Sequence, residues 1–338
     1  MSQADYRIVY IVCPARYRTG GPEALHQLGR ALLDLGHDAR MVYFEGEPRH
    51  TRDGSALHFP RIEEPTVPAY VPYRVPATWT IEDDPANAVV FPELWPETAR
   101  VVHHATKSLW WLSIDNALDA VRRFGGFDAF KATGVRHLAQ SYYAMGYLAE
   151  RDILSLPVFD HTSPEHARAA AAAGGGGRAD RVLFPARGAW FTSYLQRLSP
   201  DLEWTQLVGL GADEVRRLFL TSKLYVDFGS HPGKDRMPRE AAMLGCCVIT
   251  GKRGAAANPF DLPIPAGYKF RDSRRFNGRR IVRAIRDTLA DYDRRKEDFA
   301  TYRCMIAGER AEFEAQVQRV FGDRRPAPRD ATPQEPTP

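Results

Sequence analysis

His231, Lys234 and Arg236 fall within one six-residue stretch, and Glu240 follows four residues after the last of them. They belong to the segment KLYVDFGSHPGKDRMPREAAMLGCCVITGKRG, Lys223 to Gly254. Leu224 to Phe228 has the length and apolarity of a buried strand. Gly229 to Arg236 is a polar, turn-rich loop that also carries Asp235. Pro238 suits the opening of a helix, Gly245 suits its end, and Cys246 to Thr250 reads as the next strand. The loop therefore aims at a helix N-terminus, where free N–H groups and the positive end of the dipole attract anions. His231, Lys234 and Arg236 add positive or protonatable side chains at the same place, and the Glu240 carboxylate can accept hydrogen bonds from sugar hydroxyls. This set suits the phosphate and ribose of a nucleotide. The same residues also read as a solvated charged loop before an ordinary helix, since Pro238 and Glu240 are normal helix-start residues.

Further residues bear on chemistry elsewhere in the chain. Gly20 and Gly21 stand between an apolar run and a helix, where the backbone can approach a ligand closely. A plain tight turn is the other reading. The pattern is not the dinucleotide fingerprint: Pro22 and Glu23 follow, and Glu23 would repel a pyrophosphate at that helix start. Asp115 follows an expected strand, Leu109 to Ile114, and suits either a general base on an acceptor hydroxyl or a helix N-cap. Trp110 and Trp111 alternate across that strand, one towards the core and one free to stack on a sugar. His103 and His104 end another expected strand, Ala99 to His103, and are candidate bases, as are Asp160 and His161. Cys246 and Cys247 read as buried small apolar residues. Neither an Asp-x-Asp pair nor a His/Cys cluster calls for a metal, so no metal and no cofactor is expected.

The elements that must position these residues alternate between strand and helix. Tyr6 to Val12 reads as a buried strand. Leu25, Leu28, Leu32 and Leu35 then share a helix face, Gly36 ends the helix, and Asp38 to Phe44 returns as a strand. Residues 45–86 are Pro-rich and read as irregular. Strand-like runs recur at Ala88 to Phe91 and Val135 to Gln140, with a helix over Tyr142 to Arg151. A second series reads strand Val182 to Phe184, helix Trp190 to Leu198, strand Trp204 to Leu210 and helix Asp213 to Thr221. The expected organisation is a Rossmann-like unit over residues 1–165, an Ala/Gly linker over 166–178 and a second Rossmann-like unit over 179–276. A helical region over 277–322, long enough to reach back to the first unit, and a disordered tail over 323–338 complete it. The glycines from Gly174 to Gly177 are expected to be a mobile hinge at the surface.

Composition bounds the function. The chain has 338 residues, room for two domains, and 44% apolar residues. No run approaches the length of a membrane span. The N-terminus lacks the basic region of a secretory signal, and the four cysteines have no disulfide or zinc spacing. A cytoplasmic setting is expected. The net charge of +4 suits an anionic ligand and demands neither nucleic acid nor membrane. Arg279, Arg280, Arg283 and Arg286 form a basic rim that reads as a solvated face, with peripheral membrane contact as the second reading.

Two Rossmann-like domains facing across a cleft, in an α/β chain with parallel sheets, resemble the GT-B glycosyltransferases. The likeness is sharper over Cys13 to Tyr43, CPARYRTGGPEALHQLGRALLDLGHDARMVY, and over His231 to Ala255, HPGKDRMPREAAMLGCCVITGKRGA. Both look like segments of enzymes encoded in capsule and exopolysaccharide clusters. The resemblance implies that Glu240 contacts the nucleotide ribose, as the second of two glutamates eight positions apart in the retaining branch. Pro232 stands where the first would be, which leaves the stereochemistry open. Arg187, in FPARG, corresponds to the basic residue that binds diphosphate. The His231-Pro232 pair is similar to the pair with which sialyl- and Kdo-transferases hold the phosphate of a CMP-sugar.

The expected function is transfer of a sugar from a nucleotide-sugar donor to a glycan or other small-molecule hydroxyl acceptor. The expected donor residues are Gly20, Gly21, Arg187, His231, Lys234, Asp235, Arg236 and Glu240. Two readings compete with it: a non-catalytic nucleotide- or polysaccharide-binding protein of an assembly complex, and a Rossmann oxidoreductase.

Overall fold

A computed structural model of the chain describes residues 6–174, 177–273 and 277–322. The first βαβ unit is β1 (Val9–Pro14), α1 (Gly20–Asp34) and β2 (Ala39–Phe44). β1 is a continuous apolar run with both faces covered, as a central parallel strand requires. Its register against β2 runs from Val9–Ala39 to Pro14–Phe44. α1 buries Leu25, Leu28 and Leu32, and Gly36 leaves its end with a positive φ.

The segment read as irregular carries short pieces: β3 (Arg49–His50), β4 (Ala56–His58), a 3₁₀ turn over Pro68–Tyr73, β5 (Ala77–Thr78) and β6 (Thr80–Glu82). β3, β4 and β6 make a small antiparallel sheet, while β5 extends the main sheet beside β2. Strands of two or three residues are too short to show a periodicity of their own.

The first domain continues with β7 (Ala88–Pro92), α2 (Thr98–Val101), β8 (Thr106–Trp111), α3 (Ile114–Phe124) and α4 (Asp128–Lys131). β9 (Arg136–Ala139), α5 (Tyr142–Ala149) and β10 (Ser155–Pro157) follow. The seven strands are ordered β10-β9-β8-β7-β1-β2-β5, and every pairing is parallel. Two expectations change here. The strand expected over Ala99 to His103 is α2 and an exposed turn, whose N–H groups at His103, His104 and Ala105 bond to the Asp83 carboxylate at 2.7–2.8 Å. The strand expected over Leu109 to Ile114 starts earlier, and Ile114 opens a helix instead. Trp110 and Trp111 do alternate across β8, but both are fully buried. The Trp110 indole donates to the Val158 carbonyl and the Trp111 indole to His137 Nδ1, each at 3.0 Å, so neither is free to stack on a sugar.

After α6 (Pro164–Ala172) the chain builds a second parallel sheet. Its elements are β11 (Ala179–Pro185), α7 (Ala189–Leu198), β12 (Glu203–Leu207), α8 (Ala212–Thr221) and β13 (Ser222–Asp227). α9 (Arg236–Met243), β14 (Cys247–Gly251) and β15 (Lys269–Phe270) complete it in the order β12-β11-β13-β14-β15. α10 (Gly278–Ala290), α11 (Tyr292–Arg295) and α12 (Ala300–Phe321) follow. α12 spans both cores: Tyr302 and Ile306 pack in the second, Phe313, Val317 and Phe321 in the first. Gly175 and Gly176 of the glycine run, and the tail over 323–338, lie outside the described residues.

Candidate active site

In a parallel α/β sheet the carboxyl ends of the strands share one edge, and loops leave that edge towards helix N-termini. Here the two edges face each other across a cavity of about 740 Å³. The first domain contributes Pro14 at the end of β1, Glu93 after β7, Leu112 and Ser113 after β8, and Gln140 after β9. The second contributes Pro185 to Arg187 at the end of β11, Leu207 of β12 and the loop from Pro232 to Met237.

Gly20 and Gly21 open α1 on the cavity wall. A Cβ on Gly20 would sit 3.5 Å from Arg236 Cδ, in ordinary contact, so the helix start lies directly against the arginine. The stretch is fastened from beneath. The Tyr70 hydroxyl donates to the Thr19 carbonyl at 2.9 Å, and His26 Nδ1 lies 2.6 Å from the Pro22 carbonyl. The segment that holds Tyr70 thus supports the loop.

On the opposite wall Gly188, at φ 72°, turns β11 into α7. A Cβ there would come within 2.5 Å of the Phe228 and Gly229 backbones, so only glycine fits. The turn delivers Arg187, whose guanidinium bonds Asp227 at 2.7 Å and Asp235 at 2.8 Å. Burial alone would discharge Arg187, but the two carboxylates outweigh it and hold its charge more firmly than usual. His231 is buried behind this pair, with Nδ1 2.7 Å from Asp235. It braces the loop and does not line the cavity.

Lys234 and Arg236 are likewise matched. Lys234 Nζ lies 2.9 Å from Glu309 of α12, and its backbone exchanges two hydrogen bonds with the Gln140 side chain. Arg236 bonds Asp160 at 3.2 Å and pairs with Glu23 at the start of α1. Behind them Arg239, fully buried, holds Asp160 at 3.0 Å and Glu309 at 3.0 Å. The expected cationic residues are thus paired with carboxylates. Arg187, Lys234, Arg236 and Arg239 face Glu23, Asp160, Asp227, Asp235 and Glu309, which offsets the cost of burying their charge.

Gly20, Gly21, Arg187, Lys234, Asp235 and Arg236 all line the one cavity, and Asp160 joins them. Besides His231, three expected residues stand elsewhere. Glu240 lies outside the cavity wall, with Oε1 3.7 Å from His166 Nε2 of α6. Burial acts against its charge, yet His166, Arg236 and Arg239 hold it below the usual carboxylate range. Asp115 is neither the N-cap of α3, which is Ser113, nor a cavity residue; it accepts a 2.7 Å hydrogen bond from the Tyr143 hydroxyl. His103 is exposed before the amino end of β8, on the edge of the sheet opposite the cavity.

Glu93 is the cavity residue that sequence reasoning passed over. It directly follows β7, only 2% exposed, and accepts the Leu112 N–H at 3.0 Å. Burial pushes its carboxyl up to about 7, and the N–H groups of Leu112 and Ser113 only partly oppose the rise. The available signal was an acidic residue directly after a run of strand type, in AVVFPE.

The chain matches no protein-family model, and no curated protein is detectably similar to it. Its likeness is to solved structures. A glycosyltransferase from Rickettsia africae superposes with TM-score 0.53 at 14% identity, over 93% of this chain and 99% of that one. Anabaena HepE, in complex with UDP and glucose, gives 0.61 at 11% identity over 93% and 98%. The pneumococcal O-GlcNAc transferase GtfA, in complex with UDP and GlcNAc, gives 0.58 at 10% over 94% and 100%. The architecture is that of the GT-B fold, two Rossmann-like domains with a cleft between them.

Proposed function

We propose that this chain is a glycosyltransferase that binds a nucleotide-sugar in the interdomain cavity and moves the sugar to a glycan or other hydroxyl acceptor. The observation that carries this reading is the cavity itself. The carboxyl ends of both sheets, the Gly20–Gly21 helix start and the arginines Arg187 and Arg236 all converge on it. Residues 179–276 would supply the donor side and residues 1–165 the acceptor side. The diphosphate would take Arg187 and Arg236 over from their carboxylate partners and lie near the N-termini of α7 and α9, which meet developing negative charge without a metal. The likeness of Cys13 to Tyr43 and His231 to Ala255 to capsule and exopolysaccharide enzymes supports a role in polysaccharide assembly at the cytoplasmic side of a membrane. Among the described residues no helix is long and apolar enough to cross one.

The rival reading, a non-catalytic binding protein, rests on Pro232, which stands where the retaining branch carries its first glutamate. The CMP-sugar reading loses support, since His231 is turned into the protein behind Asp235. A thermal-shift and calorimetric series with UDP, GDP, dTDP and CMP tests donor binding. A bound nucleotide at 100 times its Kd adds about 2.7 kcal/mol of stability. No response to any of them contradicts the reading, and binding without release of nucleotide from any sugar donor favours the non-catalytic rival.

A further inference from the structure

We propose that Glu93 is the general base of the transfer and that the reaction inverts the anomeric carbon. This inference rests on the glycosyl-transfer reading above. It starts from which cavity groups can exchange a proton. The titratable side chains lining the cavity are Tyr17, Glu93, Asp160, Arg187, Lys234, Asp235 and Arg236. Asp160 is locked by Arg236 and Arg239, which hold it well below the usual carboxylate range against its burial. Asp235 is held low in the same way by His231 and Arg187. The three cations are closed by carboxylates. Among the described residues Glu93 alone of these carboxylates has no cationic partner; backbone N–H groups of Leu112, Ser113 and Glu93 itself support it.

Position adds a second argument. Glu93 rises from β7 on the first-domain wall, whereas Arg187 and Arg236 stand on the second-domain wall. A donor whose diphosphate meets those arginines exposes the far side of its anomeric carbon to the Glu93 wall. An acceptor hydroxyl there loses its proton to the Glu93 carboxylate while its oxygen bonds to the anomeric carbon. The bond from that carbon to the diphosphate oxygen breaks, and its electron pair leaves with the nucleoside diphosphate. Attack opposite the leaving group inverts the configuration.

The charged groups facing this region are Arg187, Lys234, Arg236, Asp160 and Asp235 across the cavity, all paired, and Asp115 on α3, bonded to Tyr143. Asp160 and Asp235 are held low and Arg187 and Arg236 are held charged by their pairings, so the profile follows Glu93. The base acts when ionised, so kcat/KM rises with pH through about 7 and levels off above it. The test uses wild type and Glu93→Gln with the nucleotide-sugar found to bind. Glu93→Gln should bind donor as wild type does and lose at least ~100-fold in kcat. Glu93→Asp, which keeps the carboxylate, should recover part of that loss. Proton NMR of the wild-type product should show the anomer opposite to the donor. A Glu93→Gln enzyme within a few-fold of wild type, or a product of retained configuration, overturns the base while leaving glycosyl transfer intact. Should Glu93→Gln not fold, the wild-type product and pH profile decide alone. Wild type that binds donor and transfers no sugar overturns the parent reading and the base together.

Discussion

Arg236 and Glu23 form an ion pair across the interdomain cleft, the arginine at the first position of α9 and the glutamate in the first turn of α1. The Tyr73 hydroxyl donates to the same glutamate at 3.1 Å, and the other partners of Arg236 are Asp160 and the His161 carbonyl, also of the first domain. The cation that would meet a donor phosphate is thus held by the opposite domain. Releasing it opposes phosphate binding. Glu23→Gln should therefore tighten nucleoside diphosphate binding by roughly 1 kcal/mol, below the ~1.5–3 kcal/mol of a full charge-assisted bond because Asp160 remains. Calorimetry measures it; weaker binding in a folded variant would place Glu23 in contact with the donor itself.

Arg239 shows how strongly these pairings fix the fold. Its guanidinium, fully buried, holds Asp160 and Glu309 and donates to the Lys234 carbonyl at 2.7 Å. Arg239→Met would take one of two cationic partners from each of two buried carboxylates, with Arg236 left to Asp160 and Lys234 left to Glu309, and should cost about 3 kcal/mol, the low end for breaking a buried pair. Urea unfolding reads it. A loss under 1 kcal/mol would mean that water reaches these groups.

Gly233 reports on closure. A Cβ at this position would overlap the carbonyl oxygen of Leu112 on the facing domain. Gly233→Ala should therefore wedge the cleft, at about 1–3 kcal/mol if the domains stay closed. Small-angle scattering should show a larger radius of gyration and calorimetry weaker nucleotide binding; unchanged values in both would mean that the domains do not meet here in solution.

His137 carries a pH dependence with a defined sign. Burial lowers it from 6.5 to about 4, and its Nδ1 must stay unprotonated to accept the Trp111 indole. The unfolded chain takes up a proton near 6.5 that the folded chain refuses until about 4. Its stability contribution is therefore complete above 6.5 and lost as pH falls towards 4, by up to about 3 kcal/mol. Glu93 acts in the opposite sense: its raised carboxyl favours the fold below 4.5, and that gain is lost as pH rises to about 7. The net curve of the wild type hides both, so His137→Asn is the comparison. The stability of wild type minus that of the variant should fall between pH 6.5 and 4; a constant difference would show that His137 titrates normally.

Much of the frame was legible because long parallel strands and amphipathic helices have a period. The unit from β1 to β2 and the run from β13 through α9 to β14 stand close to where their patterns put them. So does the glycine start of α1. What escaped is of another kind. Glu93 follows a strand with no pattern of its own, and only the facing sheet makes it a cavity residue. Arg239 reads as one more charge on a short helix, and its burial comes from α12, some seventy positions away. His103 misled because an apolar pair before it, Val101–Val102, closes a single helical turn and not a strand. Pairings between distant charges, such as Arg236 with Glu23, leave no local trace.

The central claim is that the interdomain cavity passes a sugar from a nucleotide to a hydroxyl. Its most direct measurement is mass spectrometry of the purified chain incubated with UDP-, GDP-, dTDP- and CMP-sugars and a panel of glycan and small alcohol acceptors, with released nucleotide quantified in parallel. We predict, for one donor, an acceptor heavier by one sugar residue and nucleotide released in equal amount, both abolished by Arg187→Ala. Nucleotide bound but never released, or a sugar product unaffected by Arg187→Ala, would contradict the account.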